Sequence, residues 1–222
     1  MMKKLLLIAV FALGMGSFVF GQANKYSTLY YQRASLFEKL QVNKSDIIFL
    51  GNSITHFGEW CEIFDNRHIK NRGISGDIVQ GVYDRLDPIL KGQPKKIFLL
   101  IGINDVSHNV TADSIVNGIA KVAGKIAAES PKTKLYIQSV FPVNESFNMF
   151  LGATKKGDVV IEINKGLRKL CLDKGLTFID VYSALKSKDS EALDARYTND
   201  GLHLMGEGYM VWKGVVIKYL KD

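Results

Sequence analysis

Residues 45–60 read SDIIFLGNSITHFGEW, in which an apolar run from Ile47 to Leu50 is cut off by Gly51 and leads at once to Ser53. The run is too short for a helix and reads as a buried strand of a parallel sheet. In open α/β sheets, ligands bind just beyond the carboxyl ends of the strands, so a serine delivered there stands where chemistry is sited. Ser53 is the first candidate nucleophile. Taken alone, strand-Gly-x-Ser also has a plainer reading, in which Asn52, Ser53 and Thr55 turn the chain and cap the next helix.

The chain around this stretch alternates strand and helix. Residues 24–42 bring Tyr26, Tyr30, Phe37 and Leu40 near helical spacing. Residues 54–64 read as helical and 68–74 as extended, after which Asp77 opens a helix carrying Ile78, Val79, Val82, Leu86, Ile89 and Leu90, ended by Gly92 and Pro94. Residues 96–101, KIFLLI, form the most hydrophobic short run beyond the N-terminal segment and read as a central strand buried on both faces. Thr111 then caps a helix with Ile115, Ile119, Val122 and Ile126 in register, and residues 134–140 give a further strand. Residues 158–173 are helical, 176–181 a fifth strand and 205–220 a closing helix. Five strands separated by helices imply an α/β fold with parallel pairing, right-handed crossovers and helices on both faces of the sheet. Two connections, 142–157 and 186–199, interrupt the rhythm, and loops at strand ends commonly wall a site.

The N-terminus reads differently from the rest. Lys3 and Lys4, an apolar stretch from Leu5 to Phe20, and small residues Gly21 and Ala23 make the pattern of a secretory signal peptide over residues 1–23, cut after Gly21 or Ala23. About 200 residues remain, enough for one domain over 24–222 with a single large core. Removing Lys3 and Lys4 lowers the formal charge from +7 to +5, and the remaining lysines are scattered among acids, which argues against a nucleic-acid partner. Two cysteines, Cys61 and Cys171, are too few for a disulfide framework in an exported chain of this size. No His-x-x-x-His spacing marks a metal site, and no cofactor motif is present.

Three further stretches carry candidate chemistry. In DARYTNDGLHL, residues 194–204, Asp200 and His203 are three apart, close enough for the carboxylate to hold one imidazole nitrogen and leave the other facing out, as a general base needs. Gly102-Ile103-Asn104-Asp105 ends the KIFLLI run, and NRGISGD, residues 71–77, enters the helix after the second strand. Acyl transfer requires donors aimed at the oxygen that becomes negative; the Gly76 N–H and the Asn104 amide suit that role. Each also has a plain reading as a turn residue.

Taken in order, Gly51-Asn52-Ser53, Gly76 of NRGISGD, Gly102-Ile103-Asn104-Asp105 and Asp200-Gly201-Leu202-His203 resemble the blocks of the SGNH (GDSL-type) hydrolase family, over nearly all of the chain beyond residue 23. The resemblance implies a flavodoxin-like sheet of order 2-1-3-4-5 in a three-layer α/β/α sandwich. It implies Ser53 as nucleophile, His203 as base and then acid, Asp200 as its orienter, and an oxyanion hole from the Ser53 N–H, the Gly76 N–H and the Asn104 side chain. Asn52 stands where the family usually has Asp, a change expected to touch hydrogen bonding in the loop more than the reaction. The NRGISGD and DGLHL blocks look like those of the acetylhydrolase branch.

The expected activity is an exported, periplasmic or secreted serine esterase removing small acyl groups, above all acetyl, from carbohydrates, without stable membrane insertion once the signal is cut. A lysophospholipase or thioesterase, with Phe147, Met149 and Phe150 lining an acyl channel, is the rival enzyme; an inactive glycan-binding domain is the rival from another class. With the sheet order that the resemblance implies, Cys61 and Cys171 lie on opposite faces, beyond the roughly 7 Å limit on Cα separation for a disulfide, and are expected to be free, buried thiols.

Overall fold

The apolar runs become the strands of one sheet in the computed structural model, which describes residues 25–221; the signal-peptide reading of residues 1–23 lies outside the described residues. In chain order the elements are α1 (Thr28–Lys39), β1 (Ile47–Gly51), α2 (Ser53–His56), α3 (Trp60–Ile63), β2 (Ile69–Gly73), α4 (Val79–Asp84), α5 (Asp87–Leu90) and β3 (Lys96–Leu100). There follow α6 (Ile103–Ser107), α7 (Ala112–Glu129), β4 (Lys134–Gln138), α8 (Leu151–Thr154), α9 (Gly157–Lys174), β5 (Thr177–Ile179), α10 (Tyr182–Leu185) and α11 (Gly206–Val216). The five strands are parallel and ordered β2-β1-β3-β4-β5, the order that the family resemblance implies.

Strand register explains the core. Phe49 pairs with Phe98, and Phe98 with Tyr136. Their rings therefore stack along one face, with centroids 5.1 and 4.7 Å apart. Trp60 of α3 covers Phe49 at 4.2 Å, and Trp212 of α11 meets Trp60 edge-on at 4.4 Å. The alternate residues Ile48, Leu50, Ile97 and Leu99 point to the other face, where α4, α7 and α9 pack side by side. Ile115, Ile119, Val122 and Ile126 make the buried stripe of α7, each isoleucine contributing roughly 2 kcal/mol of apolar burial before its entropy cost. Thr111 caps that helix as expected, its side chain accepting from the Ser114 N–H at 3.3 Å.

Two expected helices are broken, each for a chemical reason. Residues 54–64 divide into α2 and α3. The Thr55 carbonyl, which a continuing helix would offer to Glu59, accepts instead from the Trp60 indole at 2.8 Å and the Asn71 amide at 3.1 Å. Residues 77–90 divide into α4 and α5 because Pro88 has no N–H for the Asp84 carbonyl and disrupts the turn before it. Asn104, whose plain reading is a turn residue, stands in the short helix α6, with Gly102 at its N-cap.

Both cysteines are free, Cys61 on α3 and Cys171 on α9. Cys171 is buried, and burial pushes its thiol up to about 11. Cys61, expected to be buried, is exposed: the inward position of α3 is taken by Trp60. A thiol reagent in the absence of reductant is accordingly expected to count one fast-reacting thiol in native protein and two in denaturant; a denatured count of zero in monomer would mean a bridge.

Candidate active site

The three strand ends that carry the candidate residues are neighbours, since β1 lies between β2 and β3. The chain leaves β1 toward β2 and returns across it to β3, which makes this the switch point of the sheet. Gly51 permits the close fit here: a Cβ at that position would lie 2.2 Å from the Leu100 carbonyl and 2.4 Å from Thr55 Oγ1. Asn52 caps α2, its side-chain oxygen accepting from the Ile54 N–H at 3.1 Å, so the departure from Asp keeps a cap.

Ser53 is the first residue of α2 and is largely buried. Its Oγ lies 2.9 Å from His203 Nε2, across 150 positions of sequence. His203 Nδ1 lies 2.7 Å from Asp200 Oδ2. The Asp200 carboxylate fixes the backbone as well as the ring, Oδ1 accepting from the Leu202 and His203 N–H groups at 2.8 Å each. Burial raises the Asp200 pKa, but the His203 backbone and ring and the Leu202 N–H outweigh it and hold the carboxyl below its ordinary value. An ionised Asp200 takes the Nδ1 proton in its hydrogen bond, which leaves Nε2 as the acceptor and the Ser53 O–H as donor. That is the arrangement for withdrawing a proton from a hydroxyl.

Gly76 occupies the third position of the turn from Ile74 to Asp77, closed by the Asp77 N–H on the Ile74 carbonyl at 3.1 Å. Its φ of +79° demands glycine, and a Cβ built on it meets nothing within 4 Å. The Ser53 N–H, at the first position of a helix, has no intrahelical acceptor. Asn104 Nδ2 donates one proton to the Asp77 carbonyl at 2.8 Å and keeps a second. These groups could bind an oxyanion; among the described residues, no cluster of three His, Cys, Asp or Glu side chains could hold a metal.

Arg85, which the sequence reading passed over, joins the parts. It is buried, and its Nε donates to Asp77 Oδ2 at 2.8 Å, Nη1 to the Arg72 carbonyl at 2.9 Å and Nη2 to the Gly51 carbonyl at 3.0 Å. One guanidinium thus ties the end of β1 and the end of β2 to the Gly76 turn. Burial pushes the Asp77 carboxyl up, with Arg85 pulling against it. The signal was present in the sequence as an arginine three residues after inward-facing Val82. His56 adds a second tie, its Nδ1 lying 2.9 Å from Ser75 Oγ beside Gly76.

Asp105 completes the support from β3. Both of its oxygens accept from the Val79 N–H, at 3.2 and 3.1 Å. Burial, with the charge of Asp77 adding to it, pushes its pKa up to about 6. A carboxyl whose folded pKa is raised stabilises the fold fully below its unfolded value, near 3.8, and that contribution is lost as pH rises through about 6. Unfolding measurements should therefore show wild type losing stability relative to Asp105→Asn across this interval, by on the order of 2–3 kcal/mol. Parallel pH profiles for the two proteins would contradict the assignment.

The model of the GDSL-like Lipase/Acylhydrolase family matches residues 49–211, a span that contains every residue of this site. The chain belongs to that family. It is a serine hydrolase acting on carboxylic esters. The hydrolase is 27% identical over 170 residues to platelet-activating factor acetylhydrolase IB subunit alpha2 of Rattus norvegicus, covering 74% of this chain and 71% of that one. Among solved structures it resembles a platelet activating factor protein from Streptococcus pneumonia at 28% identity and a TM-score of 0.79, over 86% of this chain and 92% of that one. A GDSL-like lipase from Bacteroides thetaiotaomicron, 23% identical with a TM-score of 0.73 over 86% of this hydrolase and 97% of that chain, shares the fold.

Proposed function

We propose that this hydrolase is an exported esterase that removes small acyl groups, acetyl above all, from carbohydrate hydroxyls. The observation that carries the reading is the hydrogen-bonded series from Ser53 through His203 to Asp200, at 2.9 and 2.7 Å. Ser53 Oγ attacks the ester carbonyl while His203 Nε2 takes its proton, and Asp200 holds the imidazolium that forms. The oxygen of the tetrahedral intermediate is met by the Ser53 N–H, the Gly76 N–H and Asn104 Nδ2. Collapse breaks the bond from the acyl carbon to the alcohol oxygen, which receives the proton from Nε2. Water, deprotonated by the same nitrogen, then releases the acid and restores Ser53.

The relatives named for an acetylhydrolase support acetyl in particular. Export rests on Lys3, Lys4 and the apolar run from Leu5 to Phe20, and an exported enzyme meets glycans outside the cytoplasm. No helix among the described residues is long and apolar enough to cross a membrane. A second reading, an acetyl-phospholipid or lysophospholipid esterase, is favoured by the same relatives and by the exposed thioether of Met149. An inactive glycan-binding domain would have no use for the Ser53–His203–Asp200 series.

Acetate release from acetylated xylo-oligosaccharides, compared with release from an acetyl phospholipid, tests the substrate: faster release from the phospholipid would replace the carbohydrate reading. Asn104→Ala is expected to lower kcat roughly a hundredfold or more with a smaller effect on KM. An unchanged kcat would remove that side chain from the oxyanion hole. His203→Ala is expected to cost more than Asp200→Asn; the reverse order would reassign the base.

A further inference from the structure

Phe57 and Phe150 are among the most exposed large apolar side chains described, at 54% and 49%, and both stand against the candidate base. Their ring centroids lie 5.3 and 5.1 Å from that of His203, the second edge-on. They come from unrelated segments, Phe57 from the residue closing α2 and Phe150 from the residue before α8. Phe150 is held with φ at +49°, and Asn148 two residues earlier at +55°. A non-glycine residue keeps that backbone only at a cost, and a half-exposed ring returns little core packing for it. The position of the ring therefore calls for a role at the surface it shares with His203.

Under the proposed esterase reading, His203 Nε2 hands its proton to the alcohol oxygen as the acyl–oxygen bond breaks. The part of the substrate beyond that oxygen must then lie beside the two rings. We propose that Phe57 and Phe150 form an aromatic clamp that selects the alcohol portion of the ester, and that this portion is a pyranose. The negative face of an aromatic ring attracts the C–H face of a sugar, whose hydroxyls meanwhile stay in water, so half-exposed rings suit it. An alkyl chain gains from being enclosed, yet these rings are open to solvent. The clamp sets specificity at the leaving group, where the substrates of this chemistry differ most.

The test compares kcat and KM for three acetyl esters: acetylated xylotriose, ethyl acetate, whose alcohol is too small to span both rings, and an acetyl ester of an alkyl glycerophosphocholine. Phe57→Ala and Phe150→Ala are expected to lower kcat/KM for acetylated xylotriose at least tenfold more than for ethyl acetate, mainly through KM, and Phe150→Tyr should restore most of the loss. Phe150→Gly relieves the left-handed backbone and should melt no lower than Phe150→Ala, yet show the same loss, which separates the ring from the fold. Equal losses on xylotriose and ethyl esters, no loss, or a loss confined to the phospholipid would each overturn the clamp. Wild type active on ethyl acetate but not on acetylated xylotriose would overturn the clamp alone, whereas wild type inactive on all three esters would overturn the esterase reading beneath it.

Discussion

Ser53→Ala is expected to lower ester hydrolysis by a factor on the order of 10⁵, because the triad acts as a unit and loss of its nucleophile removes nearly all that the unit contributes. Residual activity should come from the oxyanion donors and binding alone. Folding should hardly register the change. Ser53 Oγ makes one side-chain hydrogen bond, to His203, and an intramolecular hydrogen bond is worth about 1 kcal/mol net. In a domain of this size that corresponds to a fall in Tm of at most about 4 °C. Initial rates with nitrophenyl acetate and a melting curve check both halves. A variant that keeps most of its activity would show that another group attacks the ester, and one that loses both activity and fold would say nothing in favour of Ser53 as nucleophile.

Arg85→Met is expected to give the largest loss of stability, about 3–5 kcal/mol, because it leaves the Asp77 carboxylate buried without its cation. The Gly51 and Arg72 carbonyls lose their donors in the same step. Neutralising both partners, as Asp77→Asn with Arg85→Met, should recover a substantial part of the loss, since the penalty lies in an isolated buried charge more than in the absence of the pair. Activity should fall too in the single variant, because the Asp77 carbonyl orients Asn104 and the Asp77 N–H closes the Gly76 turn. Urea unfolding of the three proteins measures the comparison. A single variant within about 1 kcal/mol of wild type would show that the guanidinium is not what holds the strand ends together.

How far such a structure can be read from its sequence depends on whether the signal is local. These two strands were legible because Ile47–Leu50 and Ile97–Leu100 are continuous apolar runs, buried at every position. The order of the sheet came from the family resemblance and not from periodicity, which says nothing of which strand neighbours which. Asp200 and His203 were legible as a pair because three residues separate them, whereas their meeting with Ser53 spans 150 positions and rested on the resemblance alone. The break between α2 and α3 has no local signal, since Asn71 on β2 competes for the Thr55 carbonyl; the break between α4 and α5 has one, Pro88, which the apolar spacing across it hides. Arg85 was missed because an inward charge reads as an error in an amphipathic pattern until its partner, Asp77, is seen beside it. Cys61 was misplaced since α3 is one turn long, too short for periodicity to tell its inward from its outward positions.

The most direct measurement is labelling by a fluorophosphonate, which reacts with a serine only when a neighbouring base activates it, followed by peptide mass spectrometry. One adduct per chain is expected, on the peptide that contains Ser53, formed at a rate that collapses in His203→Ala. Failure of native, folded protein to label, or an adduct on a serine other than Ser53, would contradict Ser53 as nucleophile.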